Sequence, residues 1–173
     1  ENNESSCEGA GTGFAIHEDG YIATNFHVIG KNQETGEACE DIKVIGIDGD
    51  FTRYYDASVI LTDPERDLAI LKINKKIYDI PYGITNNVDI AETVYAYGYP
   101  EPGSENTIGR IKWTEGSVSD FGLAGDVNIS YVTDYLKDDT KVIEHTSIIY
   151  RGNSGGPLFN SDGEIIGVNT LGD

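Results

Sequence analysis

Apolar and polar positions alternate along this chain in short runs, and turn residues cut the runs at close intervals. Phe14-Ala15-Ile16-His17 and Tyr21-Ile22-Ala23-Thr24 flank Glu18-Asp19-Gly20. An Asp-Gly pair between two such runs predicts a β-hairpin, because the turn needs residues that reach positive φ. Further strands are predicted over Ile42–Ile47, Tyr54–Leu61 and Leu68–Ile73, divided by Asp48-Gly49-Asp50 and Asp63-Pro64-Glu65. A second set covers Thr93–Gly98, Ile108–Trp113, Gly116–Ser119, Val127–Val132, Lys141–Thr146 and Ile165–Thr170. Residues 30–41 read as a polar loop. Residues 74–90, with Pro81, Gly83 and Asn86-Asn87 and no sustained period, read as a connector. No segment carries a convincing long helical period, so the expected fold is all-β, a sandwich or barrel in two halves over 10–80 and 91–173. A loose polar arm is expected over residues 1–9 and the connector between the halves over 81–90.

Composition agrees with that pattern. Isoleucine and valine number 31 against 7 leucines, with 21 glycines and 11 tyrosines, a turn-rich β composition. Twelve basic against thirty acidic side chains give 12 − 30 = −18. Such a surface repels phosphate backbones and anionic lipid, which argues against nucleic acid and membrane surfaces as partners. No apolar run approaches the length of a membrane span. The chain has no methionine and starts at Glu1, so a processed or trimmed chain is expected. Cys7 and Cys39 lack metal-ligand spacing and sit in polar, loop-like sequence; one disulfide in an oxidising compartment is favoured, with free thiols as the alternative. Export, to the cell envelope or beyond, is the corresponding expectation.

Chemistry concentrates in Tyr150-Arg151-Gly152-Asn153-Ser154-Gly155-Gly156-Pro157-Leu158-Phe159. Glycines on both sides of a serine permit backbone conformations that side chains forbid and expose N–H groups beside a hydroxyl. That pattern suits a nucleophile and an oxyanion, although a glycine-rich surface turn has the same letters. A serine needs a base, and the base needs a group that fixes its tautomer. Of the three histidines, His17 lies on an alternating hairpin face and His145 on a predicted strand, and both read as structural. His27 follows Tyr21–Phe26, where a strand ends and a short turn begins. Asp67 opens the apolar strand Leu68-Ala69-Ile70-Leu71, with its carboxylate at the strand's edge; Asp63 and Glu65 flank a proline turn and read as exposed.

Chain order separates the possible arrangements. An α/β-hydrolase elbow would need its acid and then its histidine after the serine, and no histidine follows Ser154. A subtilisin-like order could use Asp19 but demands a longer α/β chain. His27, Asp67, Ser154 is the order of the chymotrypsin-type double barrel.

Thr24-Asn25-Phe26-His27-Val28-Ile29, Asp67-Leu68-Ala69-Ile70-Leu71-Lys72-Ile73 and Gly152-Asn153-Ser154-Gly155-Gly156-Pro157-Leu158 resemble the three catalytic motifs of HtrA/Deg-type trypsin-like serine proteases. Gly11-Thr12-Gly13-Phe14, Gly116–Ser119 and Gly167-Val168-Asn169-Thr170 fit the same pattern in order. The resemblance runs from about residue 10 to the end. It implies two antiparallel β-barrels with the active site in the cleft between them, and it implies no cofactor and no metal. His27 would be the general base, Asp67 its orienter, Ser154 the nucleophile, and the backbone N–H groups of Gly152 and Ser154 the oxyanion hole.

By the same resemblance Thr170, Leu171 and Gly172 would pair with an extended peptide or protein substrate. Ile148 would lie near the base of the S1 pocket and favour an apolar P1 residue of small to medium size. The family usually continues with another strand after this point, so the second barrel is expected to be cut short at its C-terminal end. No PDZ domain and no oligomeric state are implied for this stretch. The competing expectation is a catalytically silent trypsin-like domain that binds extended peptides or a partner protein.

Overall fold

The computed structural model describes residues 7, 9–48, 51–81, 83–100, 110–127 and 136–170. Among the described residues, two five-stranded antiparallel sheets carry the fold. The first orders its strands β1-β2-β7-β6-β5, from β1 (Phe14–His17), β2 (Tyr21–Thr24), β5 (Ile42–Asp48), β6 (Phe51–Asp63) and β7 (Leu68–Ile73). The second orders them β10-β9-β8-β11-β12, from β8 (Thr93–Gly98), β9 (Lys112–Leu123), β10 (Lys141–His145), β11 (Pro157–Asn160) and β12 (Ile165–Val168). These are the curled sheets of a chymotrypsin-type double barrel, as the resemblance implied. A small ribbon of β3 (Gly30–Asn32) and β4 (Glu37–Ala38) occupies part of the stretch expected as loop. No helix among the described residues is long and apolar enough to cross a membrane.

Period-two burial explains the strands. In β7 every second residue, Ala69, Leu71 and Ile73, is buried, and β8 repeats the pattern with Val94, Ala96 and Gly98. Ile22, Ile29, Ala69 and Leu71 form the first core, and Val94, Ala96, Val118, Leu158 and Ile166 the second. Fully burying such an aliphatic side chain contributes roughly 1.5–3 kcal/mol. The hairpin β1–β2 falls on the predicted residues, with Gly20 at φ 89° in its turn.

Three expectations need correction or completion. Ile108–Trp113 and Gly116–Ser119 were expected as two strands, but Lys112–Leu123 is one strand running through Gly116. A glycine inside a strand marks a close approach of another backbone. Here a Cβ on Gly116 would run into the Ser147 backbone and hydroxyl, so the glycine admits the crossing segment without breaking the strand. β11 was missed, because Pro157 at its head reads as a stop although a strand tolerates proline at its first residue. Beyond Val127, the strand expected over Val127–Val132 lies outside the described residues, as do most of the arm at 1–9 and positions 108 and 109. Cys7 and Cys39 are joined in a disulfide, with Cα atoms 5.9 Å apart.

Candidate active site

Asp67 is positioned by the turn that leads into β7. Asp63 accepts the Arg66 N–H at 3.1 Å, Pro64–Arg66 form a single 3-10 turn, and Asp67 closes it in the left-handed region at φ 54°, ψ 43°. Aspartate visits that region more readily than most residues. The side chain is fully buried. A buried carboxylate has to be met by donors, and both oxygens are met. Oδ1 accepts the His27 backbone N–H at 2.8 Å, and Oδ2 lies 2.6 Å from His27 Nδ1. Facing a carboxylate, Nδ1 carries the proton, which leaves Nε2 as the basic nitrogen.

His27 sits on a helical turn, Phe26–Ile29, directly after β2. The first N–H groups of a helix have no partner within it, and the Asp67 carboxylate supplies one. Asn25 at the N-cap makes no capping bond. Its side chain donates instead to the Asp67 carbonyl at 2.9 Å and to Thr170 Oγ1 at 3.1 Å. Phe26 is fully buried and its N–H donates to the same carbonyl at 3.1 Å. The segment before His27 is thereby fastened to Asp67 by backbone and side chain together.

The serine loop is built by other means. Asn153 N–H donates to Tyr150 O at 2.9 Å, and Gly152 in the third position of that turn has φ 94°. This is the type II geometry that requires glycine there. Gly155 has φ 84°, and a Cβ on it would run into Thr12 O and Thr24 Oγ1. Gly155 N–H donates to Asn169 O and Gly156 N–H to Asn153 O, at 2.8 and 2.9 Å. Among the described residues no backbone or side-chain acceptor takes the N–H of Gly152 or Ser154. The Ser154 hydroxyl donates to Thr170 O at 3.1 Å.

The residues expected from sequence therefore separate into groups. His27 and Asp67 are bonded directly; Ser154 and Asn25 both reach Thr170, which brings the serine loop to the end of the histidine strand. Ile148 is 57% exposed, while its carbonyl accepts from Thr114 Oγ1 at 2.7 Å. Leu171 and Gly172 lie outside the described residues. His17 is exposed on its hairpin, with Nδ1 accepting Asp19 N–H at 3.1 Å. His145 is half-buried, and burial lowers its pKa from the ordinary 6.5. Sequence reasoning assigned no role to Thr12, Asn25 or Asn169. For Thr12 the available signal was a small hydroxyl residue between two glycines, Gly11 and Gly13. A hollow of about 710 Å³ lined by Phe14, Tyr95, Tyr97, Trp113 and Phe159 lies on the second sheet, and His27, Asp67 and Ser154 do not line it.

The profile of a trypsin-like peptidase domain matches residues 11–168. The chain is 35% identical over 94% of its length to Protease Do-like 5, chloroplastic, of Arabidopsis thaliana, and spans 48% of that protein. It is 37% identical over 92% of its length to a probable periplasmic serine endoprotease DegP-like of Brucella suis, of which it spans 27%. Among solved structures, Deg5 superposes with a TM-score of 0.70 at 29% identity, over 94% of this chain and 74% of that one.

Proposed function

The chain belongs to the trypsin-like peptidase family, and we propose that it is a serine endopeptidase that hydrolyses peptide bonds through an acyl-enzyme. The observation that carries the reading is the His27–Asp67 pair. A fully buried carboxylate holds the imidazole at 2.6 Å and binds the same residue's N–H at 2.8 Å, which fixes ring and tautomer at once. Ser154 Oγ attacks the scissile carbonyl carbon while His27 Nε2 takes its proton. The C–O bond forms as the carbonyl π pair moves onto oxygen. The N–H groups of Gly152 and Ser154 receive that oxyanion; one such donor is worth about 3 kcal/mol in the transition state. The tetrahedral intermediate collapses, His27 passes the proton to the leaving amine, and a peptide leaves. Water repeats the sequence on the acyl-enzyme and frees Ser154. The Ser154 hydroxyl donates to Thr170 O at 3.1 Å, and that bond opens as the proton passes to His27.

Thr170, with Leu171 and Gly172 after it, pairs with the backbone of an extended peptide substrate. Ile148 offers apolar surface and no charge, which supports a small-to-medium apolar P1 residue. The Cys7–Cys39 disulfide fits an oxidising compartment. The chloroplastic and periplasmic relatives point to an exported or organellar setting.

A fluorophosphonate probe tests the reading. It labels Ser154 in the native chain, labelling disappears in Ser154→Ala, and it slows steeply in His27→Ala. A folded chain that neither takes the label nor cleaves peptides with an apolar P1 residue is instead the silent, peptide-binding domain.

A further inference from the structure

The serine loop is held by a residue that precedes the first strand. Thr12 Oγ1–H donates to Gly152 O at 2.6 Å, and the same oxygen accepts Tyr99 N–H at 2.9 Å. Thr12 N–H donates to Ser154 O at 2.8 Å, and Thr12 O accepts from Thr24 Oγ1 at 2.7 Å. The residue is 4% exposed. With one lone pair of the hydroxyl occupied by Tyr99, its proton is directed at Gly152. Thr24 ends β2, three residues before His27, so one residue joins the end of the histidine strand to the serine loop.

In a trans peptide the C=O and N–H groups point in opposite directions, so holding one end aims the other. The Gly152–Asn153 peptide is held at both ends, its carbonyl by Thr12 and its N–H by Tyr150 O at 2.9 Å. The Ser154–Gly155 peptide is likewise held, its carbonyl by Thr12 N–H and its N–H by Asn169 O, both at 2.8 Å. Between them lies the Asn153–Ser154 peptide, whose carbonyl accepts Gly156 N–H at 2.9 Å and whose N–H faces away from it. Thr12 holds both neighbouring peptides and so fixes the chain on either side of this one, while the Gly156 N–H holds the direction of its carbonyl.

We propose that Thr12 is a positioning residue for the oxyanion hole, using its hydroxyl and its N–H to lock the two serine-loop peptides that flank the Ser154 donor. The proposal rests on the serine-peptidase reading. Thr12 touches no substrate and acts through the placement of the loop that carries the Gly152 and Ser154 N–H groups.

Thr12→Val keeps the shape and removes the hydroxyl; Thr12→Ser keeps the hydroxyl. In Thr12→Val, kcat on a fluorogenic peptide with an apolar P1 residue falls about ten- to hundred-fold, short of deleting a donor outright. KM changes little, because the lost stabilisation belongs to the transition state. Thr12→Ser recovers most of kcat, and the ¹H–¹⁵N resonances of the Gly152 and Ser154 amides shift in Thr12→Val and return in Thr12→Ser. Unchanged kcat in Thr12→Val, a loss confined to KM, or a loss that serine does not recover would overturn the proposal. If Thr12→Val does not fold, Thr12→Ala takes its place with the same expectations. If the native chain neither cleaves peptide nor takes the phosphonate, the peptidase reading has failed. The amide resonances then decide alone: a shift reversed by serine supports the lock, and unmoved amides overturn it.

Discussion

The two halves of the site are held by opposite means. On the histidine side, side chains do most of the positioning: the Asp67 carboxylate binds two groups of His27, and the Asn25 amide and the Phe26 N–H bind the Asp67 carbonyl, all within about forty residues of one another at the adjoining ends of β2 and β7. On the serine side, absent side chains do it. Gly152 and Gly155 take positive φ, Gly156 lies against Tyr97 O, and most of the remaining restraints are backbone hydrogen bonds, joined by the Thr12 hydroxyl from the other end of the chain. The pair is a local construction, whereas the loop is a long-range one. Chemistry on the histidine side should therefore fail through charge and tautomer, and on the serine side through geometry.

The largest expected effect attacks the histidine side. Asp67→Asn puts an amide where the carboxylate meets Nδ1, so the amide N–H favours the tautomer that protonates Nε2, and the base is lost. The expected fall in kcat is about 10⁴-fold, or about 5 kcal/mol at 1.36 kcal/mol per decade. Steady-state turnover and the rate of Ser154 phosphonylation report it. A fall of less than about tenfold would show that the imidazole is oriented without Asp67.

Gly155→Ala is the matching change on the other side, and here folding is what suffers. The added methyl meets Thr12 O and Thr24 Oγ1 at a backbone with φ 84°, so strain and collision act together. The native state is expected to lose about 4 kcal/mol or more, read as a drop in the urea midpoint with an unchanged m-value. If stability holds and only turnover falls, the loop is more pliable than its contacts require, and the contrast with Asp67 disappears.

How much of this was legible in the sequence follows the same division. The hairpin Phe14–Thr24, the strand Leu68–Ile73 and the strand Thr93–Gly98 were readable because period-two burial and turn chemistry are local signals. His27, Asp67 and Ser154 could be singled out by residue type and chain order. Their geometry could not. Nothing local says that Asp67 takes a left-handed conformation; it follows from how the Pro64–Arg66 turn meets β7. The roles of Thr12 and Asn25 depend on partners such as Gly152 and Thr170, more than a hundred positions away. Thr114 and Glu115 fell between two expected strands because their pairing with Ala96 and Tyr95 on β8 is not a local signal.

Reduction of the Cys7–Cys39 disulfide sharpens the comparison further. The bond closes a separation of 32 residues and ties the segment leading to Thr12 to Cys39, whose N–H donates to Ile29 O at 2.8 Å. On the chain-entropy estimate its loss costs about 3–4 kcal/mol. In Cys7→Ser/Cys39→Ser, thermal unfolding should come earlier. Ser154 labelling should slow more than loss of folded protein explains, because the freed segment carries the residue that braces the loop. Labelling that tracks the folded fraction alone would mean Thr12 is anchored without the bond.

The smallest effect concerns His145 on β10, the strand that leads toward the serine loop. Burial lowers its pKa below 6.5, and its Nδ1 has no partner among the described residues. At His145 the native state therefore binds fewer protons than the unfolded chain in mildly acidic solution. The stability owed to neutral His145 is intact above pH 6.5 and is lost as the pH falls from there through the lowered native value. His145→Phe removes the titration and should flatten the fall in urea midpoint between neutral and mildly acidic pH, while leaving the His27–Asp67 pair in place. Parallel slopes in the two proteins would assign the acid sensitivity elsewhere. A flattened slope would identify β10 as a point where acid loosens the serine half.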